Sequence, residues 1–211
     1  MHKYLTELIG TFFLVLTIGL TVLGGSPLAP LAIGAALMVM VYMGGHVSGG
    51  HYNPAISLAV FLRGALKGGD LLPYVLFQLV GALLASGVVY RVMGHTFAPA
   101  PAAGTSSMVA FTVELLFTFA LCLVWLNVAT AQQTAGNSFY GLAIGFTVVA
   151  ALFAGGPISG GAFNPAVGAG PLLLRSLIGE SGIQNLWLYV AGPLLGGVVA
   201  ALVFRRQEAA T

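Results

Sequence analysis

The sequence predicts an all-α membrane protein in which six spanning helices and two re-entrant half-helices form an inverted repeat. Of its 211 residues, 58% are hydrophobic, and only 7 Lys or Arg and 5 Asp or Glu residues are present. About a quarter of the residues in soluble proteins are charged. Residues 8–62 and 115–174 contain none of these charges. Such stretches would aggregate in water, whereas a lipid bilayer solvates them. The bilayer is therefore an expected partner of the chain.

The six spanning segments are recognised by their length, because a helix needs about 20 mostly apolar residues to cross the bilayer. The apolar runs are continuous and lack the alternation of a membrane β-strand. Spanning helices are expected at approximately residues 4–23, 30–46, 71–93, 108–129, 138–154 and 185–204. We expect the whole chain, 1–211, to form one transmembrane domain.

Two further apolar stretches, 54–62 and 165–174, have about half the spanning length, and each begins with Asn-Pro-Ala. They belong to a tandem duplication. Leu-Ala-Ile-Gly at 31–34 recurs at 142–145, Ser-Gly-Gly at 48–50 recurs at 159–161, and Asn-Pro-Ala at 53–55 recurs at 164–166, all at an offset of 111. The repeats cover about 1–100 and 105–211. Each has three spanning helices, an odd number, so the second repeat enters the membrane from the opposite side. Short segments at equivalent places in inverted repeats point to a transport site.

The cations predict the orientation of the chain, because cytoplasmic loops are enriched in Lys and Arg. If both termini are cytoplasmic, five cations lie inside and two outside. The inside set is Lys3, Arg63, Lys67, Arg205 and Arg206, and the outside set is Arg91 and Arg175. The expected location is the plasma membrane. The cations are scattered and form no basic patch, so no nucleic-acid partner is expected.

The Asn-Pro-Ala tripeptides predict two helix starts, since Asn is a favoured N-cap and Pro suits the first helical position. The motifs are Asn53-Pro54-Ala55 and Asn164-Pro165-Ala166. Two half-helices that enter from opposite faces bring their partially positive N-termini together near the midplane. We expect both Asn side chains to face a lumen there. Their amides would orient a passing water or hydroxyl group, and the positive field would repel cations.

The chain resembles the aquaporin, or major intrinsic protein, family over essentially its whole length. The resemblance rests on Gly-His-Val-Ser-Gly-Gly-His-Tyr-Asn-Pro-Ala at 45–55 and Gly-Gly-Ala-Phe-Asn-Pro-Ala at 160–166. It implies an aquaporin-like fold with one pore per chain, usually in a homotetramer, and no cofactor. It also implies that Glu7 and Glu114 hold the re-entrant loops by hydrogen bonding to their backbone. Glu7 is close enough to the N-terminus that a position at the membrane interface is an alternative.

His46 and His51 flank the first re-entrant loop. A metal site would need further ligands, and the chain offers no Cys or carboxylate nearby in sequence. We therefore expect both histidines in the pore wall. By resemblance, His51 is the one closer to the lumen.

The sequence departs from the family at the outer constriction of the pore. Most members carry Arg directly after the second Asn-Pro-Ala, whereas this chain has Val167. Counting from the motifs places Ile33, Leu152 and Gly161 at the other constriction positions, where orthodox water channels usually have an aromatic residue and a His at the first two. An apolar, wider ring without a fixed cation weakens the expectation of strict water selectivity.

The favoured function is a passive channel for water and small uncharged solutes such as glycerol, urea, ammonia or hydrogen peroxide. An ion-coupled carrier is an alternative, since carriers also use inverted repeats, but it needs intramembrane ionisable groups, for which Glu7 and Glu114 are the candidates. A structural protein of the same fold with a closed pore is a third possibility. The sequence has no nucleotide-binding loop and no nucleophile–base pair that would indicate an enzyme.

Overall fold

A computed structural model of the protein describes residues 1–209, and the regular structure within this range is helical. Six of the eight α-helices in this range are long and apolar enough to cross a membrane. The other two, α3 and α7, start at Pro54 and Pro165. The predicted fold class is confirmed. In chain order the helices are α1 (His2–Leu23), α2 (Ala29–Ser48), α3 (Pro54–Arg63), α4 (Gly68–Met93), α5 (Ser107–Thr130), α6 (Tyr140–Ser159), α7 (Pro165–Leu177) and α8 (Leu186–Glu208).

The helix ends differ from the expected ones where polar or helix-breaking residues occur. Helix α6 was expected to stop at residue 154, before Gly-Gly-Pro, but it continues through Pro157 to Ser159. Pro157 has no backbone N–H, so it removes one hydrogen bond of the helix. Because Pro157 lies in the last turn, this loss affects only the end of α6. Helix α8 continues past the expected residue 204 to Glu208. The apolar run of α8 ends at residue 204, whereas its backbone hydrogen bonding continues through the polar residues that follow.

The two repeats interlock. Helix α1 packs on α4, and its equivalent α5 packs on α8. Each half-helix, by contrast, packs against the third spanning helix of the other repeat, α3 against α8 and α7 against α4. The half-helices are therefore held by both repeats and cannot be placed by either one alone.

Two equivalent glycines, Gly34 of α2 and Gly145 of α6, form a close approach between the repeats. A Cβ atom added to Gly34 would lie 2.6 Å from the carbonyl oxygen of Gly145, and one added to Gly145 would lie 2.5 Å from that of Gly34. Small residues permit such close packing of membrane helices. Because the same position of each repeat meets its copy, the pseudo-two-fold axis passes between α2 and α6.

We expect Gly145→Ala to lower the thermal midpoint of the purified protein, because the new methyl group must push α2 and α6 apart. Overpacking typically costs about 1–3 kcal/mol. Gly87→Ala in α4 is the matched control, since a Cβ there meets no atom within 4 Å. Ala is the better helix former by about 1 kcal/mol, so this control should be neutral or stabilising. Equal midpoints for the two variants would contradict the close contact.

The end of the molecule at which α1 begins and α8 ends is called the termini end here. Lys3 forms an ion pair with Asp70 at 2.5 Å, and Arg63 forms one with Glu208 at 2.5 Å. At the opposite end, Arg175 pairs with Glu180 at 3.1 Å. The clustering of cations at the termini end follows the distribution that the sequence predicts.

Candidate functional site

The two Asn-Pro-Ala motifs cap the half-helices. The Oδ1 atom of Asn53 accepts a hydrogen bond from the backbone N–H of Ala55 at 2.9 Å, and Oδ1 of Asn164 accepts one from Ala166 at 2.9 Å. Both asparagines have extended backbone before the first helical residue, which is Pro. This is the N-cap arrangement that the residue types favour.

The same asparagines connect the two re-entrant loops. Nδ2 of Asn53 donates to the carbonyl oxygen of Phe163 at 3.0 Å, and Nδ2 of Asn164 donates to that of Tyr52 at 2.8 Å. An amide carries two N–H groups, so these bonds leave one in each side chain for another acceptor. Both asparagines lie in the wall of one cavity, called the central cavity here.

The residues before the asparagines adopt a strained backbone. Tyr52 has φ of 50° and Phe163 has φ of 49°, values that non-glycine residues rarely adopt. Such strain costs about 1–3 kcal/mol per residue and persists only where surrounding contacts impose it. Here the N–H of Tyr52 donates to Glu7 at 2.6 Å, and that of Phe163 donates to Glu114 at 2.6 Å. Both carbonyls accept from the opposing Asn, so each strained residue is held on both sides.

Glu7 and Glu114 have equivalent surroundings in the two repeats, and both are fully buried. Glu7 accepts from Ser48 Oγ at 2.7 Å and from the N–H of His51 at 3.0 Å. Glu114 accepts from Ser159 Oγ at 2.7 Å and from the N–H of Ala162 at 3.0 Å. The carboxylate of Glu7 thus lies beneath the first re-entrant loop, enclosed by protein.

Gln78 was not singled out from the sequence. Its Nε2 donates to Glu7 at 2.8 Å and to Ser57 Oγ at 2.9 Å. Tyr74 and Tyr189 are equivalent in the two repeats, because their hydroxyls donate to the carbonyl oxygens of Ser48 and Ser159. Counting from these tyrosines, the position equivalent to Gln78 is Pro193. Burying a side-chain amide in a spanning helix costs free energy unless the amide has hydrogen-bond partners. A glutamine within an apolar spanning segment is therefore the sequence signal that could have indicated Gln78.

The four predicted constriction residues lie together in the wall of the central cavity, which has a volume of about 70 Å³. Ile33 comes from α2, Leu152 from α6 and Val167 from α7, while Gly161 belongs to the second re-entrant loop. A Cβ on Gly161 would lie 2.9 Å from Cδ2 of Leu152, so only a glycine leaves space there. These four residues, the predicted outer constriction, present apolar side chains and one backbone segment.

The contribution of the first helix of each repeat to the cavity wall was not expected. Leu14, Ile18 and Val22 of α1 and Leu121 of α5 line the central cavity. The α1 residues are four positions apart, which places them on one face of the helix. Leu14 and Leu121 are equivalent in the two repeats, at an offset of 107. The duplication could therefore have indicated that these residues of α1 and α5 line the same cavity.

The two histidines occupy different positions. His51 is 2% exposed and lies in the wall of the central cavity. Its Nδ1 forms a hydrogen bond of 3.0 Å with Ser57 Oγ, and the tautomer of the ring decides which of the two donates. His46 is exposed and lines a wide vestibule of about 600 Å³ at the termini end. Within residues 1–209, no group of three or more His, Cys, Asp or Glu side chains could hold a metal ion. The arrangement of the histidines fits a pore wall.

Comparison with known proteins identifies the family. The sequence model for the major intrinsic protein family matches residues 1–204. The chain belongs to the major intrinsic protein family. Aquaporin NIP1-1 of Zea mays is 36% identical over 97% of this chain and 74% of its own length. Glycerol uptake facilitator protein-like 6 of Lactiplantibacillus plantarum is 35% identical over 97% of both chains, and Nodulin-26 of Glycine max is 34% identical over 97% of this chain and 76% of its own.

Solved structures show the same fold. The X-ray structure of the aquaglyceroporin from Plasmodium falciparum superposes with a TM-score of 0.87 and 22% identity, covering 96% of this chain and 94% of that one. An FNT family ion channel has a TM-score of 0.62 and 17% identity, covering 99% and 89%. The predicted resemblance to the major intrinsic protein family, with its aquaporin fold, is thus confirmed.

Proposed function

We propose that this member of the major intrinsic protein family is a passive channel for water and small uncharged solutes of the glycerol, urea, ammonia and hydrogen peroxide class. One observation carries the proposal. Two half-helices from opposite repeats start at Asn53 and Asn164, and both side chains lie in the wall of one central cavity. The relatives are named as aquaporins and as a glycerol uptake facilitator, which supports the same solute class.

Ion exclusion follows from this arrangement. A helix N-terminus carries a partial positive charge of about half an elementary charge, and two such ends near one cavity oppose the entry of a cation. The second N–H of each Asn amide can donate to the oxygen of a passing molecule. A water molecule that accepts from both amides cannot also accept a proton from its neighbour, so the proton path is interrupted.

The outer constriction favours solutes with an apolar side. Ile33, Leu152 and Val167 offer hydrocarbon at this level, and the Arg that most family members have after the second motif is absent. A polyol such as glycerol can place its carbon chain against these side chains and its hydroxyls towards the backbone of Gly161. Strict selection of water is therefore not proposed.

The remaining parts of the proposal concern the whole chain. Residues 1–100 and 105–211 act as inverted repeats of one channel domain. The termini end faces the cytoplasm of a plasma membrane, in keeping with its cations. The channel assembles as a homotetramer, as the family resemblance implies, with one pore in each subunit. No enzymatic activity is proposed.

The carrier alternative is weaker, because the intramembrane carboxylates of Glu7 and Glu114 are occupied by loop donors. A carrier needs such a group free to exchange its ion. The discriminating experiment measures glycerol flux into proteoliposomes over a range of glycerol concentrations and temperatures. A channel predicts flux proportional to the gradient with weak temperature dependence. Saturation together with a requirement for an ion gradient would favour the carrier, and flux equal to that of empty liposomes would favour a closed pore.

A further inference from the structure

The pore wall changes chemistry between its outer and termini ends. On α1, three residues at one-turn spacing follow the central cavity: Leu14, Ile18 and Val22. Their equivalents on α5, at an offset of 107, are Leu121, Trp125 and Ala129. Leu121 lines the central cavity, whereas Trp125 and Ala129 line the vestibules at the termini end. Trp125 therefore stands where the repeat would place a second Ile.

Trp125 carries a buried polar group with no protein partner. The side chain is 3% exposed, and its Nε1 makes no hydrogen bond to any residue in the described part of the chain. Buried indole N–H groups usually find a partner. Packing alone does not explain an unpaired N–H on a side chain that borders an open vestibule. A molecule in the pore can supply the missing acceptor.

His51 provides a second polar group at the same level. Its ring lies edge-on to that of Trp125, with 4.9 Å between centroids and an interplanar angle of 87°. Its Nδ1 contacts Ser57, which leaves Nε2 for another partner. Both rings face Gly49, because a Cβ there would lie 2.9 Å from Nε2 of His51 and 3.9 Å from Cζ2 of Trp125. Cζ2 is on the edge of the indole that carries Nε1.

These rings stand between two spaces. His51 lines both the central cavity and a vestibule of about 390 Å³, while Trp125 lines that vestibule but not the central cavity. Both side chains are almost fully enclosed. A solute that moves from the central cavity into this vestibule along His51 passes the two rings, and it meets there a donor that the apolar outer constriction lacks.

We propose that Trp125 and His51 form an inner polar constriction that selects hydroxyl-bearing neutral solutes in this channel. This inference rests on the proposed channel function. Nε1–H of Trp125 donates to the solute oxygen, and Nε2 of His51 donates or accepts according to its tautomer. The bulk of the indole sets the size limit. The termini end thus adds a polar selection step to the apolar one at the outer ring.

The test compares variants of Trp125 with one of Trp187, the other tryptophan of the chain. Trp125→Phe keeps an aromatic ring but removes the N–H, and Trp125→Ile copies Ile18 of the first repeat. Trp187→Phe is the matched control, since Trp187 is 49% exposed and stacks on Phe111, away from the pore. Water, glycerol and erythritol permeabilities are measured by stopped flow in proteoliposomes with equal amounts of folded protein.

Trp125→Phe is expected to lower glycerol permeability by about threefold to tenfold, the effect of one lost hydrogen bond. Water permeability should fall less, because water is small enough to keep other hydrogen bonds in the constriction. Trp125→Ile should raise erythritol permeability relative to glycerol, because the passage widens. Trp187→Phe should match the parent. If the parent conducts and both Trp125 variants keep its permeability ratios, the inner constriction is wrong but the channel function stands. A silent parent overturns both.

A second measurement decides the matter if the Trp125 variants do not fold. Trp187→Phe protein holds Trp125 as its single tryptophan. Acrylamide, a small neutral amide, should quench its fluorescence despite its burial, because a pore solute touches the ring. Fluorescence that acrylamide leaves unchanged would overturn the proposal.

Discussion

Replacement of Glu114 by Ala is expected to abolish the folded protein. The carboxylate accepts from the hydroxyl of Ser159 at 2.7 Å and from the backbone of Ala162 and Phe163 at 3.0 and 2.6 Å. Each buried donor left without a partner costs about 1–3 kcal/mol. Three such losses together approach the net stability of a typical domain, about 5–15 kcal/mol. Phe163 would also lose the contact that holds its strained backbone.

The measurement is the yield of monodisperse protein in detergent, followed by its thermal midpoint. Glu180→Ala is the control, because that carboxylate is partly exposed and pairs with Arg175 at the surface, where an ion pair contributes about 0–1 kcal/mol. The control should behave like the parent. A Glu114→Ala protein that folds fully and conducts a different set of solutes would show instead that Glu114 acts on the permeating molecule.

Replacement of Val167 by Arg is expected to reduce glycerol permeability about tenfold, which corresponds to roughly 1.4 kcal/mol in the barrier. Val167 lines the central cavity with Ile33 and Leu152. An arginine there adds a long side chain with five N–H donors, so it narrows the ring and supplies a positive barrier. Water permeability should fall much less, and any cation leak should decrease.

Val167→Leu separates bulk from charge, because it enlarges the side chain without adding a donor. It should reduce glycerol permeability less than Arg does and leave cation leak unchanged. If the apolar ring instead holds the pore dewetted, the parent is nearly silent and Val167→Arg raises water flux. An unchanged permeability profile in Val167→Arg would mean that these four residues do not form the constriction.

The parts of the fold that follow local rules could be predicted from the sequence. Apolar length alone identifies the spanning helices, and Asn followed by Pro identifies the start of a half-helix, as at Asn53. The odd number of helices per repeat gives the inverted topology. The duplication also explains why Glu7 and Glu114 have matching partners at nearly identical distances.

The parts that join the repeats could not be predicted. No local rule says that Asn53 donates to Phe163, or that Gly34 meets Gly145, because these contacts depend on how two distant segments pack. The positive φ of Tyr52 is imposed by Glu7 and Asn164, and a tyrosine does not prefer it. Trp125 could not be singled out from the sequence, because an aromatic residue in an apolar helix is usually a packing residue. Its unpaired N–H becomes visible only in three dimensions.

The central claim is that the path past Asn53 and Asn164 carries neutral molecules and excludes ions. It is tested most directly by measuring glycerol flux and proton flux on the same proteoliposomes, with a potassium gradient and valinomycin setting the membrane potential. We expect glycerol flux well above that of protein-free liposomes, together with proton flux equal to theirs at every potential. A proton current that grows with the amount of protein, or glycerol flux no greater than in protein-free liposomes, would contradict it.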